Sequence, residues 1–388
     1  MKPKKVSLKL LPLHCALAFA SMASAERVVA ADTAGEEGVQ EVVVTAQKRK
    51  ESINDVPMSI TALTGDQLAE KGIEDAADLQ KVVAGFRYSE AESGTPVYAI
   101  RGVGFNETSL GSLPNVPVYV DEVPLIFPIM TTGAGIDLER VEVLKGPQGT
   151  LFGQSATGGA VNYIAARPTS TFKSALSVGY GSFDDKTVDG YVSGPLADNM
   201  KARFAFKAEK SGPWQKSMSR QDELGRKDRL DGRLLVDWQA TNNLKLAFNL
   251  SGWEDKSEPQ ALQHSGFRYL NPGAVLIPTL PAGEQNTIQN SPTSHNNRDA
   301  DWGPRHPFND SHLTQFSTRA DYDLGNHMLL TYIVSSAKFD RSLYADPDGL
   351  PIQNSEGESR GKIDSMSHEL RLAGTAFADK AKWLVGFN

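Results

Sequence analysis

The residues of this chain whose types and spacing could bind a reactive group are closely spaced glycines between two apolar runs. A glycine loop after a strand can hold phosphate groups through its backbone amides. Gly153-Gln-Ser-Ala-Thr-Gly158 is followed by Gly159 and a strand-like run, so the Gly-Lys-Ser/Thr ending and the helix of a P-loop are both missing. Arg101-Gly-Val-Gly-Phe105 lacks the third glycine of a dinucleotide fingerprint. These patterns argue against nucleotide binding.

Histidine and acidic residues are the other candidates for chemistry. His264, His295 and His306 occur in a long proline-rich segment over 254–311, and their spacing matches no metal motif. Asp346-Pro-Asp-Gly349 lacks the spaced acids and the distal glutamate of a calcium loop. No set of side chains has the spacing of a catalytic triad. We therefore expect no enzyme, no metal ion and no cofactor, and we interpret the histidines as solvated loop residues, although ligand capture by the long loop is left open.

The N-terminus predicts export from the cytoplasm. A basic stretch over 2–5 precedes an apolar stretch over 6–20, and Ala23-Ser-Ala25 matches a signal-peptidase site, so we predict a signal peptide over 1–25. Cys15 would leave with it, and the mature chain would have no disulfide. Loss of four lysines takes the formal charge from -7 to about -11, which disfavours a nucleic-acid partner. No later apolar run is long enough for a transmembrane helix.

The glycine loop lies within a pattern of short helices and strands. Apolar strands are predicted on either side of it, around 141–144 and 160–164. Earlier in the chain, Thr64 and Gln67 have the spacing of a capping box at the start of a helix that Gly72 would end. The pattern also predicts a second helix over 75–83 and strands over 97–102 and 116–121. We predict a mixed α+β domain over 52–171.

From about residue 172 the pattern changes to strands with one apolar and one ionic face. Connections between them are alternately tight and long, which favours an outer-membrane barrel over a water-soluble sandwich. Tyr180, Trp238 and Trp253 near strand ends are interpreted as interfacial girdle residues. Nine strands are predicted, near 174–183, 186–195, 200–210, 228–239, 242–253, 312–323, 326–340, 364–374 and 381–388.

The run from Leu138 to Gly153, continued by Ala156-Thr-Gly-Gly-Ala-Val-Asn162, resembles the plug-domain signature of TonB-dependent outer-membrane receptors. The resemblance covers essentially the whole chain. It departs from the family pattern at Ala84, at Glu122, where a glycine often follows the aspartate, and at Gln154-Ser155. The signature residues are Arg101, Gly102, Asp121, Gly146, Pro147, Gly149, Gly153, Gly158 and Gly159.

The resemblance implies a mixed α+β plug domain followed by an antiparallel transmembrane β-barrel over 172–388. Barrels of plugged transporters close at about 22 strands, and nine strands would leave open edges in lipid. We therefore expect the barrel to be incomplete and the chain to be an N-terminal fragment. Charges at Arg101, Glu139, Arg140 and Glu142 are hypothesised to line the interface between plug and barrel, in ion pairs that re-form as the plug moves.

The segment over 26–51 is expected to be disordered and to contain a TonB box, with no room for an additional signalling domain before it. An extended β-prone segment can add as a strand to a partner's sheet. The alternative is that the same residues are the first strand of the plug. The residues assigned to the box are Glu41, Val42, Val43, Val44, Thr45 and Ala46.

The family resemblance implies a receptor in the outer membrane of a Gram-negative bacterium. Its expected partners are TonB, the outer-membrane lipid and a small-molecule or chelate substrate. A ferric siderophore is the commonest solute of the family, and oligosaccharide, cobalamin or an aromatic compound would fit these residues equally well. The alternative from another class is a non-transporting periplasmic plug-like binding module. The sequence assigns no residue to the solute.

Overall fold

The computed structural model describes residues 42–91, 94–106, 110–153, 155–266, 281–293, 296–353, 355–378 and 380–388. The predicted signal peptide, the remainder of the chain up to Glu41, and the individual residues Gln154 and His295 lie outside the described residues. Among the residues that are described, no helix has the length and apolar character needed to cross a membrane.

The first part of the described chain is a small mixed α+β domain, the plug. Its larger sheet has five strands in the order β3-β9-β10-β7-β8, with β7 parallel to β10 and the other pairs antiparallel. The elements are β1 (Val43–Val44), β2 (Glu51–Ser52), β3 (Ile60–Thr64), α1 (Gly65–Glu70), β4 (Phe86–Glu90), β5 (Pro96–Ile100), β6 (Val103–Gly104), β7 (Val118–Val120), β8 (Val123–Leu125), β9 (Leu138–Lys145), α2 (Gly149–Phe152) and β10 (Gly159–Ala165), with short 3-10 turns at Ile53–Asp55, Asp78–Lys81 and Pro128–Thr131.

The two predicted helices have different outcomes. The capping box of α1 is confirmed: Gln67 N donates to Thr64 Oγ1 at 3.3 Å, and Thr64 N donates to Gln67 Oε1 at 3.0 Å. The helix predicted over 75–83 is wrong in extent, since only the 3-10 turn Asp78–Lys81 forms. Val82 and Val83 are β-branched and Gly85 has φ +79°, so the chain turns into β4 instead of extending the helix.

Strands β9 and β10 form the centre of the plug because both of their faces are covered. On one face, Val141, Val143 and Val161 pack into a cluster with helix and strand residues of the plug. On the other face, Leu144 and Ala160 pack against a second cluster that includes residues of β1. Burial on both faces explains why apolar residues of these strands point to either side of the sheet.

The second part of the chain is a nine-stranded antiparallel sheet, and all nine predicted strands are confirmed. The three strands around 308–376 are several residues longer than predicted. The elements are β11 (Lys173–Gly181), β12 (Asp185–Ala197), β13 (Met200–Lys210), β14 (Gln215–Ser217), β15 (Glu223–Leu224), β16 (Asp228–Gln239), β17 (Leu244–Asp255), α3 (Ala282–Gln289), β18 (Asp299–Ala300), β19 (Phe308–Gly325), β20 (Met328–Ala345), β21 (Gly357–Ala376) and β22 (Ala381–Phe387).

The two faces of this sheet are the reverse of those in a water-soluble protein. Polar residues that face the plug are buried, whereas apolar residues on the outer face are exposed. The alternation therefore fits a sheet whose outer face is in lipid. Buried polar residues are Arg203, Asp231, Arg233, Asp237, Asn249, Gln315 and Arg371, and exposed apolar residues are Leu176, Phe204, Leu230, Leu234, Leu250, Phe316 and Leu370.

Trp253 corrects the prediction of an interfacial girdle. Its side chain is only 6% exposed and faces the plug, with its Nε1 donating to Met130 O at 3.4 Å and its ring 5.8 Å from that of Phe339. It occupies an inward position of β17, so proximity to a strand end did not indicate which face it would take. Tyr180, by contrast, is 76% exposed.

Two of the long connections fold against each other. Strands β14, β15 and β18 form a small sheet that joins the connection after β13 to the one after β17. Trp302 is fully buried against Leu224, Ala261 and Ala300, and its Nε1 donates to Asp222 Oδ2 at 3.1 Å. Part of the predicted long loop over 254–311 is therefore an ordered surface structure.

Substitution of Leu234 by arginine tests whether the outer face is in lipid. Leu234 lies mid-strand in β16 and is 39% exposed. Arginine on a lipid-facing position near the bilayer midplane costs about 2–4 kcal/mol, and about 0–1 kcal/mol near the interface. We expect Leu234→Arg to lower the free energy of unfolding of the full-length protein from phospholipid bilayers by the larger amount. Asn242→Arg, in the tight turn after β16, is the control, and equal losses for the two variants would contradict a lipid-facing outer surface.

Candidate functional site

The residues predicted as a TonB box are packed on the plug. Val43 and Val44 pair antiparallel with Ser52 and Glu51, and Val44 and Ala46 are fully buried. The Val43 side chain is 42% exposed, and Glu41 lies outside the described residues. Residues 42–51 are therefore ordered where disorder was expected. The reason is that alternate side chains along this β-prone segment pack into an apolar cluster of the plug.

Thr45 is held by a buried carboxylate of the signature strand β9. The Thr45 backbone N donates to Glu142 Oε1 at 2.8 Å, and its Oγ1 lies 3.0 Å from Glu142 Oε2. Arg140 Nε donates to the same Oε1 at 2.8 Å. Burial raises the pKa of the fully enclosed Glu142 carboxyl, although Arg140 and Thr45 oppose that shift. Withdrawal of Thr45 would remove donors from a buried carboxylate, which is costly.

Asn162 connects Thr45 to the turn between β7 and β8. Its Nδ2 donates to Thr45 Oγ1 at 3.4 Å, and its Oδ1 accepts from the backbone N of Glu122 at 3.3 Å. Asn162 is fully buried in β10. The predicted box and the β7–β8 turn are thus tied to one side chain.

Glu122 attaches this turn to the barrel wall. Its Oε1 accepts from Arg319 Nη1 at 2.7 Å, its Oε2 pairs with Arg371 Nη1, and Lys48 Nζ lies 3.8 Å away. Burial alone would raise the pKa of Glu122, but the three cations outweigh it and hold the pKa at about 2. Glu122 is therefore ionised at neutral pH.

The backbone of the β7–β8 turn is left-handed at both residues, with φ +51° at Asp121 and +71° at Glu122. Such a two-residue turn matches the twist of a hairpin but favours glycine or asparagine. A side chain other than glycine costs roughly 1–2 kcal/mol in this region. The ion pairs of Glu122 offset that cost.

The signature glycines shape the connection from β9 to β10. Gly159 has φ +149°, and a Cβ placed there would lie 2.2 Å from Leu144 O. The loop closes through a hydrogen bond from Gly146 N to Gly158 O at 3.0 Å. Pro147 leads into the single helical turn Gly149–Phe152, and Gly153, which follows it, has φ +84°. The glycines therefore act as turn formers here.

The other signature residues also make turns. Arg101 and Gly102, with φ +53° and +82°, connect β5 to β6, and Arg101 Nη2 donates to Ser59 Oγ at 2.9 Å. Asp121 Oδ1 accepts from Ala165 N at 3.1 Å and lies 3.3 Å from Arg167 Nη2. These contacts fix the ends of β5, β7 and β10 within the plug.

The ion pairs hypothesised for Arg101, Glu139, Arg140 and Glu142 do not cross between plug and barrel among the described residues, although Glu139 lines a cleft between the plug and strands β11 to β13. Arg140 pairs with both Glu139 and Glu142, so these ion pairs stay within the plug. Ion pairs across the interface join Asp137 to Arg203, Glu122 to Arg319 and Arg371, Lys48 to Glu369, and Glu51 to Lys382. Sequence spacing could not reveal ion-pair partners that lie so far apart in the chain. The glutamate at position 122, where a glycine is common in the family, was the one feature of the sequence that pointed to such a contact.

His306, in the long connection, forms ordinary polar contacts. His306 Nε2 lies 3.0 Å from Glu258 Oε1, and its Nδ1 lies 3.7 Å from Asp222 Oδ2. Asp346 Oδ2 accepts from Gly303 N at 2.5 Å. Within the described part of the chain, no group of three or more His, Cys, Asp or Glu side chains is arranged to hold a metal ion.

Comparison with known proteins gives matches to one family. The model of the TonB-dependent Receptor Plug Domain matches residues 52–160. The pesticin receptor of Yersinia pestis is 34% identical over 165 residues, which are 41% of this chain and 24% of that receptor. The ferripyoverdine receptor of Pseudomonas aeruginosa is 28% identical over 162 residues, which are 42% of this chain and 19% of that receptor.

Solved structures extend the likeness of the fold to the strands after the plug. The structure of the ferric yersiniabactin uptake receptor FyuA from Yersinia pestis matches with a TM-score of 0.69 at 20% identity, over 85% of this chain and 47% of that one. The chain thus spans less than half of this structure, and its match with the curated relatives covers about a quarter of their length or less.

Two glycines of the signature loop give a matched test of its role. Gly159→Ala would force a Cβ onto Leu144 O, whereas Gly149 has an ordinary φ and open space around it. We expect Gly159→Ala to lower the free energy of unfolding of the full-length protein by roughly 2–4 kcal/mol and Gly149→Ala by less than about 1 kcal/mol. Thermal unfolding of the plug followed by protease resistance would measure both. Comparable losses in the two variants would show that backbone geometry is not what the loop requires.

Proposed function

We propose that the protein is a member of the TonB-dependent outer-membrane receptor family and imports a scarce solute across the outer membrane of a Gram-negative bacterium. The observation that carries this proposal is the polar attachment of the plug to the inner face of a sheet whose outer face is apolar. Ion pairs between the plug and the barrel can be rehydrated when the plug moves, whereas an apolar outer face would be unstable in water.

A ferric siderophore is the substrate class that we propose. The names of the ferripyoverdine receptor and the ferric yersiniabactin uptake receptor describe iron chelates as the solutes of those proteins. Cobalamin is the second candidate, because a vitamin B12 transporter of Vibrio vulnificus is 28% identical over 178 residues. Titration of the purified full-length receptor with ferric siderophores and with cobalamin would separate the two. Binding of cobalamin alone would overturn the siderophore proposal.

The energy for import would come from TonB through residues 41–46. Val44 and Ala46 are buried on the plug, and Thr45 is tied to Glu142. Burial of a valine side chain is worth about 1.5–3 kcal/mol, so the segment does not leave its site freely. Addition of the segment as a strand to a TonB sheet would replace these contacts with a new ladder of backbone hydrogen bonds.

The alternative of a soluble periplasmic module is disfavoured by the row of exposed apolar side chains on the outer face of the sheet. Membrane fractionation distinguishes the two proposals. Recovery of the full-length protein in the outer-membrane fraction supports the receptor, and recovery in the periplasmic fraction would contradict it.

Proline at Val43 tests the assignment of the box. Val43→Pro removes a backbone amide that an added strand needs. We expect this variant in the full-length protein to abolish uptake of the labelled solute while solute binding at the cell surface remains. Val43→Thr is the matched control, because it keeps the amide and the β-branched shape, and it should retain uptake. Normal uptake by the proline variant would rule out strand addition at these residues.

A further inference from the structure

Six charged side chains meet where the N-terminal segment, the β7–β8 turn and the barrel wall come together. Two belong to the plug and four to the inner face of β19 and β21. We call this group the ion-pair latch. Its members are Lys48 and Glu122 of the plug, and Arg319, Asp321, Glu369 and Arg371 of the barrel.

Lys48 and Arg371 share both of the glutamates. Lys48 Nζ lies 3.1 Å from Glu369 Oε2 and 3.8 Å from Glu122 Oε2. Arg371 Nη1 lies 2.7 Å from Glu369 Oε1 and also pairs with Glu122. The side chains of Lys48, Arg371 and Glu122 are 3%, 3% and 6% exposed, so water screens these interactions weakly. A change at one cation is therefore felt by both carboxylates.

The charge of the latch is balanced only when Lys48 is present. Three cations and three carboxylates sum to zero, and removal of Lys48 leaves a net charge of -1. A buried charge that loses its partner is strongly destabilising. Glu369 would then depend on Arg371 for neutralisation, and the share of Arg371 that pairs with Glu122 would fall. Withdrawal of one lysine therefore weakens the attachment of the β7–β8 turn.

The backbone provides a second, independent observation. Lys48 and Glu122 both have left-handed φ angles, +59° and +71°, although neither is glycine. Such residues persist only when their surroundings hold them, and they concentrate at sites that switch between states. Here the surroundings are the barrel charges of the latch together with the hydrogen bonds from Lys48 N to Thr45 O and from Glu122 N to Asn162 Oδ1.

Lys48 is also mechanically connected to the box. It lies two residues after Ala46, and its backbone N donates to Thr45 O at 2.9 Å in a tight turn. Its ammonium group lies 4.8 Å from the centre of the Phe152 ring, where it covers the signature loop. A displacement of Thr45 therefore displaces Lys48.

We propose that Lys48 couples the box to the attachment of the plug: withdrawal of residues 42–46 removes Lys48 from the latch, and the unbalanced negative charge releases the Asp121–Glu122 turn from Arg319 and Arg371. Lys48 is a positioning residue, since it acts on the plug through Glu369 and Glu122. The inference rests on the proposed role of residues 41–46 as the TonB-binding segment.

The test mimics the withdrawal by removing the charge. Hydrogen–deuterium exchange of the segment over 118–125 is measured by mass spectrometry in the purified full-length receptor, without TonB or solute. We expect Lys48→Met to accelerate exchange in this segment at least about tenfold, because the loss of a partner from a buried ion pair favours local opening. Lys48→Arg keeps the charge and should exchange like the wild type. Lys50→Met removes an exposed neighbouring lysine outside the latch and is the matched control.

A second substitution tests the charge balance itself. Glu369→Gln in the Lys48→Met background returns the latch to a net charge of zero and should restore most of the protection. In Glu369→Gln alone, Lys48 and Arg371 remain free to pair with Glu122. Hydrogen–deuterium exchange at the turn should therefore be no faster than in the wild type. This single variant still tests the proposal if Lys48→Met fails to assemble, since accelerated exchange would count against it.

Besides accelerated exchange in Glu369→Gln alone, two results would overturn the latch. One is unchanged exchange over 118–125 in Lys48→Met. The other is exchange in the double variant as fast as in Lys48→Met, which would assign the effect to lost packing on Phe152 instead of charge. The exchange measurement needs neither uptake nor TonB, so its failure is distinguishable from failure of the proposed function, which the Val43→Pro uptake assay reports.

Discussion

Each charged side chain on the inner face of the nine-stranded sheet needs a partner, because the outer face offers only apolar surroundings and the inner face is covered by the plug. The plug supplies several of these partners from its turns and irregular segments, and neighbouring barrel residues supply others, as Asp321 does for Arg319. Arg203 pairs with Asp137, Arg233 Nη1 donates to Ile136 O at 2.7 Å, and Arg229 donates to Thr132 O. The segment over 128–137 is thereby fixed along the barrel wall by three successive arginine contacts. The same requirement places Glu122 between Arg319 and Arg371.

Local patterns in the sequence predicted the elements well, and long-range partners poorly. The nine strands follow from period-two alternation, which a strand imposes on its own residues, and the start of α1 follows from the Thr64–Gln67 spacing. The contacts of Trp253 with the plug and of Glu122 with the barrel join residues more than 100 positions apart. Nothing in a local window encodes such contacts. The packing of residues 42–51 agrees with the alternative that this segment is the first strand of the plug, and the sequence could not decide for it, since a β-prone segment shows its propensity but not the surface that covers it.

Glu122 shows how a departure from a family pattern can carry structural information. A glycine at this position would relieve the left-handed backbone, but it could not neutralise the buried Arg371 and the partly buried Arg319. Glu122 keeps the strained left-handed backbone and forms ion pairs with the barrel. The conformation of this turn therefore depends on barrel residues, whereas that of a glycine turn would not. In the proposed receptor, attachment of the plug at this point is therefore conditional on the barrel charges.

The two apolar clusters of the plug limit what withdrawal of the N-terminal segment can disrupt. Val44 and Ala46 belong to the cluster on one face of β9 and β10, together with Leu144, Phe152 and Ala160. The opposite face, with Val141, Val143 and Val161, belongs to the larger cluster that contains no residue of the segment. Because the central sheet keeps that second face and its own hydrogen bonds, removal of the segment opens one side of the plug without dissolving its core. Since Asn162 and Glu122 lie where the opened side meets the barrel wall, the expected first effect of pulling on the segment is loss of attachment, ahead of unfolding.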